Sequence, residues 1–79
     1  MATLQDLYDL GKYLVKKTNK ETKMVSNMRR IVHEDFKYIQ LIGKWICIRY
    51  QDDDRHNAIQ YKSLRGAMNY VDKWLGKEN

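Results

Sequence analysis

The fold is decided by residues 36–51, which read FKYIQLIGKWICIRYQ. Two segments rich in β-branched and aromatic residues, 36–42 and 45–51, flank a central Gly43-Lys44. Glycine at the first of two turn positions is typical of a type II′ β-hairpin. The turn sets the register of the two strands, because side chains alternate between the faces of a sheet. The predicted pairs are Ile42 with Trp45, Leu41 with Ile46, Gln40 with Cys47, Ile39 with Ile48, and Tyr38 with Arg49.

This register divides the hairpin into two faces. The inner face carries Leu41, Ile46, Ile39 and Ile48, and the outer face carries Ile42, Trp45, Gln40, Cys47, Tyr38 and Arg49. A turn at 52–55 then leads to a third strand at 56–61. Pairing Gln51 with His56 places Ile59 opposite Ile48 and Tyr61 opposite Ile46, again on the inner face. Because two independent turns give the same buried face, the sequence predicts a three-stranded antiparallel meander.

Helices are predicted before and after the meander. Residues 3–18 repeat apolar residues at the spacing of one helical face, and Thr3 with Asp6 resembles a capping box. A second helix runs from about Ser63 to Leu75 and stops at Gly76. We expect both helices to lie on the inner face. The predicted fold class is therefore α+β, in a single domain over residues 1–79, with the C-terminal helix packed on one sheet face.

The segment 19–35, between the first helix and the meander, has three interpretations. Its apolar residues fit one helical face and continue the phase of the first helix. They are Met24, Val25, Met28, Ile31 and Val32. Two helices broken after residue 18 are preferred, and a strand over 28–33 comes next. One long helix of ~44 Å would be too long for so small a domain. We expect a basic segment that is helical or extended.

Length and composition limit the class of protein. With 79 residues the chain has room for one small core, so we expect self-association into a homo-oligomer. Hydrophobic residues make up 43% and charged residues 32%, which predicts a folded chain. The single cysteine excludes an internal disulfide and favours a reducing compartment. No apolar run approaches a membrane span, and the N-terminus lacks the pattern of a signal peptide, so we expect a cytoplasmic protein without a membrane partner.

Positive charge is concentrated in one part of the chain. The net charge is +5, but residues 11–30 alone hold seven basic residues and one acidic residue, Glu21. A concentrated positive field favours nucleic acid or an acidic protein surface as partner, although a solvated basic face gives the same pattern. On the helical wheel these residues form a basic stripe, which we expect to contact phosphates. It consists of Lys12, Lys16, Lys20, Lys23 and Arg30, with Lys17 and Arg29 at its flanks.

Catalytic motifs are weak. The run Asp52-Asp53-Asp54 lacks the alternating ligands, glycine and distal glutamate of a calcium loop, so it is predicted to be a solvated turn. His33-Glu34-Asp35 has no second cluster at a recognised spacing, and Cys47 has neither a cysteine partner nor a nearby histidine in sequence. We therefore expect no enzyme activity, no metal site and no cofactor.

A second candidate surface is the outer face of the hairpin. Tyr38, Trp45 and Arg49 there would stack unpaired bases, as aromatic residues on sheets do in RNA-binding domains. The alternative is that segment 19–35 or a dimer partner covers this face.

The order helix, three-stranded meander, helix resembles the double-stranded-RNA-binding domain. The segment Tyr61-Lys62-Ser63-Leu64-Arg65-Gly66-Ala67, followed by Val71 and Leu75, is similar to that family's second helix. The resemblance implies phosphate contacts by Lys62 and Arg65. The family's loop between the first two strands is replaced here by a two-residue turn, and segment 19–35 has no counterpart. The strand–strand–helix end also resembles the sheet of plant-type and integrase-arm DNA-binding domains.

The chain is short, lacks proline and is rich in Lys, Asn, Ile and Tyr, and in these respects it resembles the small early proteins of lytic phages. Such proteins often inhibit host defence, as anti-CRISPR proteins and inhibitors of toxin–antitoxin ribonucleases do. We expect a sequence-nonspecific nucleic-acid-binding protein that favours RNA and is an RNA-dependent inhibitor of a host defence protein. The alternative is an anti-CRISPR-like inhibitor that binds its host protein without nucleic acid.

Overall fold

A computed structural model describes residues 1–54 and 59–76 of the chain. Five strands form one antiparallel sheet, and neighbours in sequence are neighbours in the sheet. The protein therefore has the predicted α+β fold with a C-terminal helix. In chain order the elements are α1 (Leu4–Thr18), β1 (Lys23–Val25), a 3₁₀ turn (Ser26–Met28), β2 (Arg30–Val32), β3 (Phe36–Ile42), β4 (Trp45–Tyr50), β5 (Ile59–Tyr61) and α2 (Leu64–Gly76).

The central hairpin has the predicted register. All five predicted pairs between β3 and β4 are present, from Ile42 with Trp45 to Tyr38 with Arg49. Gly43 has φ +61° and Lys44 has no positive φ, as a type II′ turn requires. The predicted pairs of β5, Ile59 with Ile48 and Tyr61 with Ile46, are also confirmed. The predicted start of this strand, at His56, and the neighbouring Arg55 lie outside the described residues.

The preferred interpretation of segment 19–35 as a second helix is wrong. The segment instead contains two strands, which extend the predicted meander of β3, β4 and β5 to a sheet of five. Helix α1 ends at Thr18 because Asn19 adopts the left-handed conformation, φ 58°, and its N–H donates to the carbonyl of Val15. The chain then forms the β1–β2 hairpin, in which Met24 pairs with Ile31. Residues 24 and 31 are seven apart, so they share a helical face as well as a sheet face. That coincidence explains why helical spacing was misleading.

Both helices pack on the inner face. Thr3 and Asp6 form the predicted capping box at the start of α1, with both hydrogen bonds made. Buried residues of α1, α2 and the strands meet in one core. Gly66 is needed in α2, because a Cβ there would lie 2.6 Å from the ring of Tyr61 on the sheet. The largest fully buried apolar side chains are Leu7, Leu10, Leu14, Ile39, Ile46, Ile48 and Val71.

The prediction of a solvated turn at residues 52–54 is wrong for Asp53, whose exposed fraction is only 2%. The hydroxyl of Tyr70, on α2, donates to Asp53 Oδ2 at 2.7 Å and accepts from the backbone N–H of Tyr50 at 2.8 Å. A buried carboxylate is tolerated when hydrogen bonds satisfy its oxygens. This contact ties the end of β4 to α2.

His33 connects the end of α1 to the turn between β2 and β3. The hydroxyl of Thr18 donates to the carbonyl of Leu14 at 2.7 Å, so it accepts from His33 Nε2 at 2.9 Å. His33 Nδ1 accepts from the backbone N–H of Asp35 at 3.0 Å. These bonds require a neutral imidazole with its proton on Nε2. Burial lowers the pKa of His33, although the carboxylate of Asp35 acts in the opposite direction.

We expect Ile48→Ala to lower the free energy of unfolding by about 2–4 kcal/mol, because it leaves a cavity in the core. The matched control is Ile42→Ala, which removes the same atoms from the outer face, where the side chain is 50% exposed. The control is expected to cost about 1 kcal/mol or less. Urea titrations of the two variants measure the difference. A larger loss for Ile42→Ala than for Ile48→Ala would mean that the faces are assigned the wrong way round.

Stability is expected to fall as the pH drops below about 6.5, the ordinary pKa of histidine. The pKa of His33 is lowered in the folded protein, so below that pH the unfolded chain binds more protons there and unfolding is favoured. His33→Asn keeps an acceptor for Asp35 but does not titrate. Urea unfolding between about pH 7.5 and 5.5 is expected to show a shallower pH dependence for the variant. Parallel pH profiles would contradict the neutral, buried state of His33.

Candidate nucleic-acid interface

The outer face of the sheet is the candidate site. Strands β1 and β2 extend the sheet beyond β3, and both helices pack on the inner face, so the alternative that segment 19–35 covers the outer face is wrong. Val32 and Ile42 are each 50% exposed there, and Trp45 is 37% exposed. Alternation along the strands assigns Lys23, Val25, Arg30, Val32, Tyr38, Gln40, Ile42, Trp45, Cys47, Arg49 and Gln60 to the outer face.

The strands of this face carry positive charge only, whereas Glu21 and Glu34, in the connecting segments, share a recess with Lys23 and Val32. No residue of β1 to β5 is Asp or Glu, whereas the same strands contain Lys23, Arg30, Lys37 and Arg49. Lys62 follows β5 directly and lies over Trp45. Because like charges repel, a face with several cations and no strand carboxylate is stabilised when an anion covers it. The face thus has the electrostatic character of a polyanion-binding surface.

Two of the cations lie over aromatic rings. Lys62 Nζ is 5.3 Å from the centre of the Trp45 ring, and Arg30 Cζ is 5.7 Å from the centre of the Tyr38 ring. Cation–π attraction holds each positive group beside a ring. Arg30 Nε is buried and finds no acceptor within residues 1–54 and 59–76. Each pair therefore presents a cation and an aromatic surface together.

An open groove of about 840 Å³ crosses β3, β4 and β5 on the outer face. Arg49 Nε donates to the backbone carbonyl of Asp53 at 3.0 Å, which fixes the guanidinium at one end of the groove. Burial raises the pKa of the Cys47 thiol and of the Tyr38 hydroxyl, so both are neutral at pH 7. The lining residues are Lys37, Tyr38, Ile42, Cys47, Arg49, Ile59 and Gln60.

The predicted basic stripe is not continuous, because the helix that was expected to carry it ends at Thr18. Lys12, Lys16 and Lys17 are exposed on α1, and the latter two lie in its last turn, where cations stabilise the helix dipole. Lys20 Nζ lies 2.8 Å from Asp35 Oδ1 and 4.0 Å from Glu34 Oε2, so its charge is compensated. Expectations that treat these residues as one helical face are therefore wrong.

Some of the remaining predicted site residues lie on the outer face of the sheet, and others lie elsewhere. Lys23 and Arg30 lie on the outer face, with Tyr38, Trp45 and Arg49, and Lys62 joins them from the end of β5. Arg29 is exposed in the tight turn between β1 and β2, with φ 50°. Arg65 lies on α2, beside a recess between the two helices, and does not share the outer face.

Of the seven residues that line the groove, only Tyr38 and Arg49 were among the expected site residues. The missed residues include Lys37 and Gln60, whose side chains can bind a polar ligand. Gln60 is recoverable from strand alternation, because it pairs with Cys47 on the outer face. Lys37 is not, because the register shifts between Phe36 and Tyr38, and such a bulge changes the direction of a side chain.

Comparison of the chain with protein-family models, with curated proteins and with solved structures gives no match. Within the part of the chain that the structure describes, no helix is long and apolar enough to cross a membrane. The same part contains no group of three or more His, Cys, Asp or Glu residues arranged to hold a metal ion.

Cys47 is expected to react slowly with a disulfide reagent such as Ellman's reagent. The side chain is only 3% exposed, and its raised pKa lowers the thiolate fraction, which is the reactive form. We expect a rate at least about tenfold below that of the same protein unfolded in urea. Absorbance of the released thiol measures both rates. Equal rates in the two states would contradict the placement of Cys47 beneath its neighbours.

Proposed function

We propose that this protein binds nucleic acid, RNA in preference to DNA, through the outer face of its sheet and without sequence specificity. The observation that carries the proposal is the accumulation of cations on strands that contain no Asp or Glu. Phosphate contacts supply most of the affinity in nonspecific binding, and lysine and arginine make them without reading bases. The groups assigned to phosphate are Lys23, Arg30, Arg49 and Lys62.

The arrangement of apolar groups supports the same proposal. Trp45, Ile42 and Val32 are exposed between the cations, which gives the face both charged and apolar surface. Nucleic acids combine charged phosphates with apolar base faces, so they match this mixture. The preference for RNA rests on Tyr38 and Trp45, because aromatic residues on a sheet stack unpaired bases in RNA-binding domains.

The proposed biological role is that of a phage-type, RNA-dependent inhibitor of a host defence system, such as a toxin–antitoxin ribonuclease. It rests on the likeness in length and composition to small phage proteins. The competing role is direct binding of a host protein, with the same basic face on an acidic surface. Purification without nuclease separates the two: an RNA binder retains absorbance at 260 nm, whereas a direct inhibitor is free of nucleic acid and co-purifies with a polypeptide.

The salt dependence of binding tests the proposed contacts. If Lys23, Arg30, Arg49 and Lys62 each contact one phosphate, log affinity is expected to fall with log salt at a slope of roughly −3 for a single strand. Replacing Lys23 and Lys62 together by Ala removes two contacts and is expected to make the slope shallower by about 1.4. Fluorescence anisotropy of a labelled oligonucleotide at several salt concentrations gives both slopes.

The matched control is the double change Lys12→Ala and Lys16→Ala, which removes the same charge from α1. Both lysines are exposed on α1, which packs on the opposite, inner face of the sheet. This control is expected to leave the slope close to that of the wild type. A control that changes the slope more than the Lys23 and Lys62 variant does would transfer the phosphate contacts from the sheet to the helix.

A further inference from the structure

We infer that the outer face takes unpaired nucleotides, whose bases stack on Trp45 and Tyr38, and that it discriminates against a duplex. This inference rests on the proposed function and names its substrate class. Trp45 is more than a third exposed, and its cross-strand partner Ile42 is half exposed. Together they form an apolar patch at the tip of the central hairpin that stacked bases would bury.

A duplex fits this surface poorly. Its exterior is a charged sugar–phosphate backbone, and its base faces are already stacked inside the helix. Laid on the outer face, that backbone would meet Val32, Ile42 and the Trp45 ring, and these groups make no hydrogen bond with phosphate. A single strand turns its bases toward the protein, so the apolar groups are covered by other apolar surface.

The spacing of the ring–cation pairs suits a single strand of nucleic acid that lies across the outer face. Trp45 with Lys62 lies at one end of β4, and Tyr38 with Arg30 lies opposite Arg49 at the other end. Four residues along a strand correspond to ~13 Å. Each pair offers a ring for a base and a cation for the adjacent phosphate. The two pairs are therefore placed as separate nucleotide subsites on one surface.

The surface between the two subsites is uncharged. Gln40, Cys47 and Gln60 form a cross-strand row there, and the groove passes over Cys47 and Gln60. Burial keeps the Cys47 thiol neutral. A neutral floor between two cation–ring pairs accommodates a base, and the exposed amide of Gln60 offers a donor and an acceptor to its edge. The row thus continues the base-binding surface from Trp45 to Tyr38.

The positive charge of the outer face favours a nucleic acid over a second copy of this chain as the partner that covers it. Two copies that met through their outer faces would bring the cations of two sets of strands together, and these strands contain no Asp or Glu. A polyanion supplies the missing negative charge, and an acidic protein surface would supply it without bases. The experiment therefore has to detect base stacking as well as binding.

The experiment uses the full chain and two probes, an oligouridylate of about twelve nucleotides and an RNA duplex of the same length. The chain has two tryptophans, and Trp74 stacks on Tyr50 on the inner side of the sheet. Trp74→Phe therefore leaves Trp45 as the only indole. We expect the single strand to quench Trp45 fluorescence and to bind at least about tenfold more tightly than the duplex.

Substitution of Trp45 provides the second measurement. Trp45→Ala is expected to weaken single-strand binding roughly 5- to 150-fold, while the salt slope and duplex binding stay unchanged. Trp45→Phe retains a ring and is expected to recover most of the loss, and Ile42→Ala is the control for lost apolar area alone. If Trp45→Ala does not fold, the quenching measured on the Trp74→Phe protein still shows whether bases stack on Trp45.

The outcomes separate this inference from the proposed function. Equal affinity for both probes, with no quenching of Trp45, overturns the inference and leaves phosphate binding by the outer face intact. Binding of neither probe at low salt overturns both, and the acidic-protein partner then takes their place. Two results together support both: the single strand but not the duplex quenches Trp45 fluorescence, and Trp45→Ala weakens single-strand binding.

Discussion

The two-residue turn at Gly43-Lys44 is the constraint on which the rest of the structure depends. Its left-handed glycine, φ +61°, fixes the pairing of Ile42 with Trp45 and hence every pair farther along β3 and β4. A slip of one residue would exchange the two faces of a strand. For β4, Ile46 would then be exposed, and Trp45 would lie beneath the helices. The core and the candidate interface are therefore two consequences of one turn.

The β1–β2 hairpin converts a basic segment into part of a sheet surface. On a helix, Lys23 and Arg30 would have continued the row of lysines on α1. On paired strands they instead face the same side as Tyr38, Trp45 and Arg49. The same hairpin leaves Val32 exposed between charged neighbours, an arrangement that does not stabilise the isolated fold. Surface that adds nothing to folding is expected where a protein binds a partner.

Two buried polar clusters hold the ends of the sheet to the helices. One joins His33 to Thr18 and to the backbone of Asp35, and the other joins Asp53 to Tyr70. Both bind connecting segments, which would otherwise have few apolar contacts. The first also explains why Lys20 is removed from the candidate site, since its ammonium group pairs with Asp35. The carboxylate of Asp35 thus compensates the charge of Lys20, which is then not available to a phosphate.

The sequence alone determined those features that depend on neighbouring residues. The capping box at Thr3, the turn at Gly43-Lys44, the register of β3 with β4 and β5, and the C-terminal helix each follow from local backbone preferences or strict alternation. Tyr38, Trp45 and Arg49 were placed on one face for the same reason. Only the tertiary structure decided segment 19–35, because Met24 and Ile31 satisfy a helical period and a paired hairpin equally well. It also decided the burial of Asp53 and the ion pair of Lys20, since both depend on partners distant in the chain, Tyr70 and Asp35.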